Sequence, residues 1–187
     1  LIGGGSGQDY ASYRHSTSGV TASLADSSIN TGDAAGDIYI GINRLDGTNY
    51  NDVLIGDNNN NFLRGRGGIN ELHGGGGFDI ADYTAAPVGV RADLSNSSTN
   101  TGVAAGDTYD SIEGLRGSDL NDTLKGDAGN NTLIGQLGAD TFIYSGGNDA
   151  INDFNHGQGD RVDLTGSGVT GWSTLQGLLF QSGPNAT

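Results

Sequence analysis

Between Gly47 and Asp82 the chain reads GTNYNDVLI, GDNNNNFLR, GRGGINELH and GGGGFDIAD, four unbroken nonapeptides. In each, a polar hexad opened by glycine is followed by three residues of which the middle one is apolar: Leu54, Leu63, Leu72 and Ala81. One inward side chain per nine residues fits neither the 3.6-residue period of a helix nor a long alternating strand; it fits a three-residue strand flanked by six-residue turns. Two such units close one coil of a flattened solenoid, and stacked coils bury a narrow aliphatic ladder. The pattern returns from Gly117 to Asn152 as GSDLNDTLK, GDAGNNTLI, GQLGADTFI and YSGGNDAIN. The predicted fold is all-β, a right-handed parallel β-roll (β-solenoid) of nonapeptide repeats.

A longer repeat contains the shorter one. SINTGDAAGDIYIGINRLDGTNYNDVLIGD from Ser28 aligns without gaps with STNTGVAAGDTYDSIEGLRGSDLNDTLKGD from Ser98, a shift of 70 residues that also carries Asp9 to Asp79, Tyr13 to Tyr83 and Asp52 to Asp122. Residues 1–75 form a first copy, 76–145 a second, and 146–187 a partial third with a terminal cap. Within each copy, Tyr10 to Asp37 and Ile80 to Asp107 interrupt the nonapeptides; GVTASL and GVRADL read there as short strands of β-hairpin excursions, with Asp37 and Asp107 at their return. Near the end, Ser173 with Gln176 resembles a helix capping box, and Trp172, Leu175, Leu179 and Phe180 follow at near-helical spacing, which predicts a short C-terminal helix capping the roll.

Composition then sets a problem. With 35 glycines and 34% hydrophobic residues among 187, the chain is poor in the apolar area that stabilises an ordinary core. It holds 22 acidic against 8 basic residues, a net charge of −14, which excludes nucleic acid and anionic membrane surfaces as partners and makes cations the natural counterpart. There is no cysteine, so disulfides, zinc–thiolate centres and thiol chemistry are excluded and any metal must bind through oxygen. No apolar run reaches the length of a membrane span, and the first residues, LIGGGSGQD, lack the basic and apolar regions of a signal peptide.

The acidic residues are not scattered. The sixth residues of the nonapeptides are Asp52, Asn61, Asn70 and Asp79 in the first copy and Asp122, Asn131, Asp140 and Asp149 in the second. Alternate turns fall on the same edge of a roll, so turn n lies over turn n + 2, pairing Asp52 with Asn70, Asn61 with Asp79, Asp122 with Asp140 and Asn131 with Asp149. A cation between them would meet these side chains and turn carbonyls, the oxygen-only, high-coordination setting that calcium accepts and zinc does not favour. The turn residues Gly47, Asn49, Gly65, Gly67, Gly74, Gly76, Gly117, Asp119 and Gly135 complete the candidate ligand set, with Asp9 as the first-copy equivalent of Asp79. Several calcium ions are expected. The gap with two carboxylates, Asp122 and Asp140, is expected to bind tightest, since ligand charge is a main control on calcium affinity.

GGxGxDx repeats at nine-residue spacing resemble the RTX, or haemolysin-type, calcium-binding family. The resemblance implies calcium between the turns of a parallel β-roll, export through a type I channel and folding in calcium-rich surroundings outside the cell. It also implies a non-catalytic module whose other partner is the rest of a larger secreted polypeptide. DAINDFNHGQGDRVDL resembles the segment that ends the rolls of serralysin-type proteases, which implies that Asp149 and Asp153 complete the last site. Asn61, Asn70 and Asn131 depart from the family's Asp, and Asn43 and Glu113 stand at sixth positions of poorly formed turns.

Other motifs fall away. GSGVTG at 166–171 fits GxGxxG but lacks the βαβ unit and the later acidic residue of a dinucleotide site. His15, His73 and His156 lie in no HExxH helix, and no P-loop, GxSxG elbow or EF-hand loop is present. Arg64 and Arg66 read as surface charges. Two alternatives stay open: an adhesive or polysaccharide-binding module, favoured if Tyr10, Tyr13, Tyr39, Tyr83 and Tyr109 cluster on one exposed face, and part of a β-solenoid polysaccharide-modifying enzyme, which needs an Asp/Arg/Lys cluster in a groove.

Overall fold

The computed structural model describes Leu1, residues 9–165 and Ser167. The GSGVTG motif and the capping helix expected after it lie outside these residues.

Among the described residues, fifteen short strands build the roll. One wall is a seven-stranded parallel sheet of β1 (Tyr10–Ser12), β3 (Arg44–Asp46), β5 (Phe62–Arg64), β7 (Ile80–Asp82), β10 (Gly114–Arg116), β12 (Thr132–Ile134) and β14 (Ala150–Ile151), in that order. The opposite wall is split in two. Its first half is β2 (Thr21–Ser23), β4 (Val53–Ile55), β6 (Glu71–His73) and β9 (Thr108–Asp110); its second is β8 (Arg91–Asp93), β11 (Thr123–Lys125), β13 (Thr141–Ile143) and β15 (Arg161–Asp163). All named strand pairs are parallel, and the register places the eighth residues side by side, Leu45 on Leu63, Leu54 on Leu72 and Leu124 on Phe142. Leu54, Leu63, Leu72, Ala81, Leu115, Leu124, Leu133 and Phe142 form the buried ladder that the nine-residue period requires. The fold is a parallel β-roll.

The interrupted stretches depart from the expected hairpins. Tyr10–Ser12 and Ile80–Asp82 are ordinary strands of the seven-stranded wall, and the GVTASL and GVRADL segments are β2 and β8 of the other. Only the chain after β2 and β8 leaves the roll, through two 3-10 turns each, Ser27–Ile29 and Gly32–Ala34, Ser97–Thr99 and Gly102–Ala104. Each loop is tied back by one antiparallel bridge, Thr21 to Thr31 or Arg91 to Thr101. Local alternation suggested a hairpin because it cannot report that Val20, Ala22, Val90 and Ala92 pack into the ladder of coils far along the chain. After its loop the second copy returns as β9, which pairs with β6, while β8 pairs with β11. The stretch from β3 to β9 therefore holds three strands of one wall (β3, β5, β7) and four of the other (β4, β6, β9, β8).

Two tyrosine clusters hold the loops. Tyr83 is buried, donates its hydroxyl proton to Asp107 at 3.0 Å and shares a 2.6 Å hydrogen bond with Tyr109, to which Asn100 Nδ2 also donates. Tyr13, Asp37, Tyr39 and Asn30 repeat the arrangement in the first copy. Burial raises the Tyr13, Tyr83 and Tyr109 phenols above their ordinary range, so they act as neutral hydrogen-bonding struts.

Candidate metal centre

The turns stack along two edges as the spacing predicts. In all four expected pairs the backbone N–H of the earlier sixth residue donates to the side-chain Oδ1 of the later one: Asp52 to Asn70 at 3.1 Å, Asn61 to Asp79 at 2.7 Å, Asp122 to Asp140 at 2.8 Å and Asn131 to Asp149 at 3.0 Å. The two ladders run on through Asp107, Asp160 and Glu113, of which the nonapeptide count placed only Glu113, at the sixth position of a poorly formed turn. On one edge Asn70 N–H and Nδ2 reach Asp107 Oδ1, and Asp140 N–H reaches Asp160 Oδ1; on the other, Asp79 N–H reaches Glu113 Oε2. Asp107 and Glu113 lie 37 and 34 residues beyond their partners because the excursion intervenes, and Asp160 lies 20 beyond. Their signal was faint: an acidic residue at the return of each loop or turn, off the 18-residue step.

The second carboxylate oxygens separate the sixth residues into two kinds. Asp79 Oδ2 and Asp140 Oδ2 are buried and have no hydrogen-bond partner. Each belongs to a side chain at most 1% exposed, and a buried charge left unpaired is costly. Desolvation raises both carboxyls to about 6; neighbouring carboxylates add to the rise, Glu113 and Asp57 for Asp79, and Asp122, Asp160 and Asp153 for Asp140. Asp107, raised to about 6 chiefly by burial, instead has both oxygens engaged, by Asn70 and Tyr83. Asp52 and Asp122 are fully hydrogen-bonded. Thr48 N–H and Ser118 N–H donate to their Oδ2 atoms at 2.7 and 2.6 Å, Val20 N–H and Val90 N–H to their Oδ1 atoms at 2.8 and 2.7 Å, and both hydroxyls add further bonds. The register thus brings Asp122 and Asp140 together, but the Asp122 carboxylate already faces protein donors.

Space and donor chemistry at the two orphan oxygens fit a hard cation. A methyl group at Gly74 would collide with the Ser111 carbonyl oxygen and stand 2.6 Å from Asp79 Oδ2, so only glycine lets carboxylate and carbonyl converge there. At Gly135 a methyl group would meet Asp140 Oδ2, and at Gly117 it would approach both Asp122 Oδ2 and the Gly135 carbonyl, at 3.0 Å from the latter. Among the described residues no three His, Cys, Asp or Glu side chains converge, which does not suit a transition-metal centre. One carboxylate with stacked carbonyls is an all-oxygen set of the kind calcium takes.

The remaining candidates divide by burial. Gly47, Gly65, Gly74, Gly117 and Gly135 are the buried first residues of turns, while Asn49 and Asp119 are exposed at turn tips. Gly67 N–H and Gly76 N–H donate to the Thr48 and Asp57 carbonyls of the turns above. Asp9 directly precedes β1, as Asp79 precedes β7. Asp149 Oδ1 accepts from Asn131 on one edge, whereas Asp153 accepts from Gly135 N–H and Gln136 N–H on the other. These two do not complete one site, because β14 runs between them.

The features expected of the alternatives are not assembled. Tyr13 and Tyr83 are buried, Tyr39 and Tyr109 are half-buried and bond to them, and of the five only Tyr10 is exposed, so they do not cluster on one exposed face. Arg64 pairs with Asp82 at 2.6 Å and Arg66 with Asp46, giving an internal charge ladder across neighbouring strands in place of the free surface charges expected. Among the described residues no helix is long and apolar enough to cross a membrane.

The family model of the RTX calcium-binding nonapeptide repeat (4 copies) matches residues 39–72, 46–81 and 116–151. No curated protein matches the chain. The matched segments contain the stacked turns that bear Asn70, Asp79 and Asp140, and they leave out the two tyrosine-tied loops. Nonapeptide register, parallel coils and oxygen-lined gaps thus meet in the same residues, and residues 39–81 and 116–151 of this chain carry RTX calcium-binding nonapeptide repeats wound as a β-roll.

Proposed function

We propose that this module closes on calcium outside the cell and so supports the secretion and stability of a larger secreted protein, itself contributing no catalysis. The observation that carries the reading is the pair of buried, partnerless oxygens, Asp79 Oδ2 and Asp140 Oδ2, each at a glycine-opened gap between stacked turns. Asp79 and Asp140 are the side chains that would hold calcium, together with carbonyls of the turns stacked on them. Bound calcium would supply the positive charge that these carboxylates lack and would join coils 18 residues apart.

Where calcium is scarce, the same carboxylates oppose closure through desolvation and mutual repulsion, in a chain of net charge −14 with a thin apolar ladder. At about 100-fold excess of calcium over its dissociation constant, each site adds about 2.7 kcal/mol to the folded state, which is large against the usual 5–15 kcal/mol stability of a domain. Export as an open chain and closure outside follow from that balance. Far-UV circular dichroism during calcium titration, with magnesium as control, tests it: a cooperative coil-to-β transition with calcium alone is expected. A chain equally folded in chelator, calcium and magnesium would overturn it.

A further inference from the structure

The seven glycine-opened turns between Gly47 and Asp140 are of two kinds, and the second residue of each decides which. In the turns that begin at Gly65, Gly74 and Gly135 the second residues are Arg66, Gly75 and Gln136, all at positive φ (67°, 94° and 76°), and the fourth residues Gly68, Gly77 and Gly138 are also left-handed. None of the N–H groups of these second residues reaches the sixth side chain of its own turn; that of Gln136 goes to Asp153. In the turns that begin at Gly47, Gly56, Gly117 and Gly126 the second residues are Thr48, Asp57, Ser118 and Asp127, none of them left-handed. All four N–H groups fold back onto the sixth side chain: Thr48 to Asp52, Asp57 to Asn61, Ser118 to Asp122 and Asp127 to Asn131, at 2.6–2.9 Å. The side chains of Thr48, Asp57, Ser118 and Asp127 in turn accept from the N–H of the fourth residue, so each of these turns is tied by its own atoms.

From this division we infer that Asp52 and Asp122, although they occupy the acidic position of the nonapeptide, are metal-free staples, and that a short polar residue after the opening glycine is the element that converts a cation-binding turn into a self-closed one. Each of the two carboxylates is saturated by one turn N–H, one hydroxyl and the N–H of Val20 or Val90, the residue that leads into β2 or β8. These staples fasten the entry strand of each excursion to the roll, at equivalent points 70 residues apart. A self-closed turn sits on an open one at three of the four predicted gaps, where the carboxylate for a cation comes from the open member alone if it is an aspartate; at the fourth, the Asp149 turn begins at Tyr144 and its Ser145 hydroxyl reaches Asp149 Oδ2 at 3.4 Å.

The inference rests on the calcium reading for its contrast, but its own readout survives without it. The experiment measures melting temperature against calcium concentration, and bound calcium by equilibrium dialysis, for the full chain and for Ser118→Ala, Asp122→Asn, Thr48→Ala and Asp140→Asn. The three staple variants are expected to melt lower by about 2–4 °C or more at every calcium concentration, with the slope and the bound calcium of the parent. Asp140→Asn should instead flatten the slope and lose one calcium per chain. Ser118→Gly should remove the self-cap and add bound calcium at Asp122. A changed slope or a lost calcium in Ser118→Ala or Asp122→Asn overturns the inference. If the parent shows no calcium dependence, the calcium reading fails; the staples then stand if Ser118→Ala still melts lower, and fall if it does not.

Discussion

Replacing Asp140 by asparagine should stabilise the roll in one solution and destabilise it in another. Without calcium, the native side chain keeps one buried oxygen with no partner, and Asp122, Asp160 and Asp153 repel its charge. Asparagine keeps the Oδ1 that accepts the Asp122 N–H at 2.8 Å, removes the charge, and presents an amide donor to a surrounding rich in carboxylates. Removing an unsatisfied buried group of this kind is worth about 1–3 kcal/mol, so in chelator the variant should be more stable by that amount. With calcium at about 100 times its dissociation constant, the parent gains about 2.7 kcal/mol at this site and the variant forgoes most of it. The two urea-unfolding curves should therefore exchange order between chelator and calcium. A variant less stable than its parent by the same amount in both solutions would refute the reasoning, because it would make Asp140 a structural residue whose open oxygen is not a ligand.

Acidity should act on the metal-free roll in the opposite sense from the loaded one. Asp79, Asp107 and Asp140 titrate at about 6 when folded, above the unfolded carboxyl value of about 3.9. Their contribution is thus fully present below about pH 4 and lost as pH rises through about 6, so melting in chelator should be higher near pH 5 than near pH 7.5, whereas calcium-bound protein should weaken toward pH 5 as protons compete for the ligands. Leu63→Ala or Leu124→Ala, each removing a fully buried rung, should cost about 2–5 kcal/mol in urea unfolding with or without calcium. Tyr83→Phe takes the hydroxyl from between Asp107 and Tyr109 and should cost about 1–3 kcal/mol while leaving bound calcium unchanged by dialysis. Gly74→Ala should abolish the calcium-dependent rise in melting temperature at the Asp79 gap, since its methyl group would occupy that gap.

The parallel coils were legible because their signal is strictly local: an apolar residue every nine, as at Leu54, Leu63 and Leu72, with a glycine opening each turn. Adding 18 to Asn61 or Asp122 was enough to find the residue stacked on it. The division between Asp122 and Asp140 was not legible by counting charges, because it depends on the φ of Ser118 and of Gln136 and on where one N–H points. Strands β2 and β8 were read as parts of hairpins because a three-residue strand carries no mark of its partner, here a strand 32 residues away at Val53 or Thr123. Whether the tyrosines cluster on one exposed face was left open for the same reason: nothing next to Tyr83 in sequence announces Asp107 or Tyr109.

The unequal walls bear on how successive units are joined. Neighbouring strands lie about 4.8 Å apart, so three strands lengthen the seven-stranded wall by about 14 Å between β3 and β10, without a break, while the opposite wall is interrupted between β9 and β8. Each excursion is in effect a seam, and the backbone hydrogen bonds that carry one unit onto the next run through the unbroken wall.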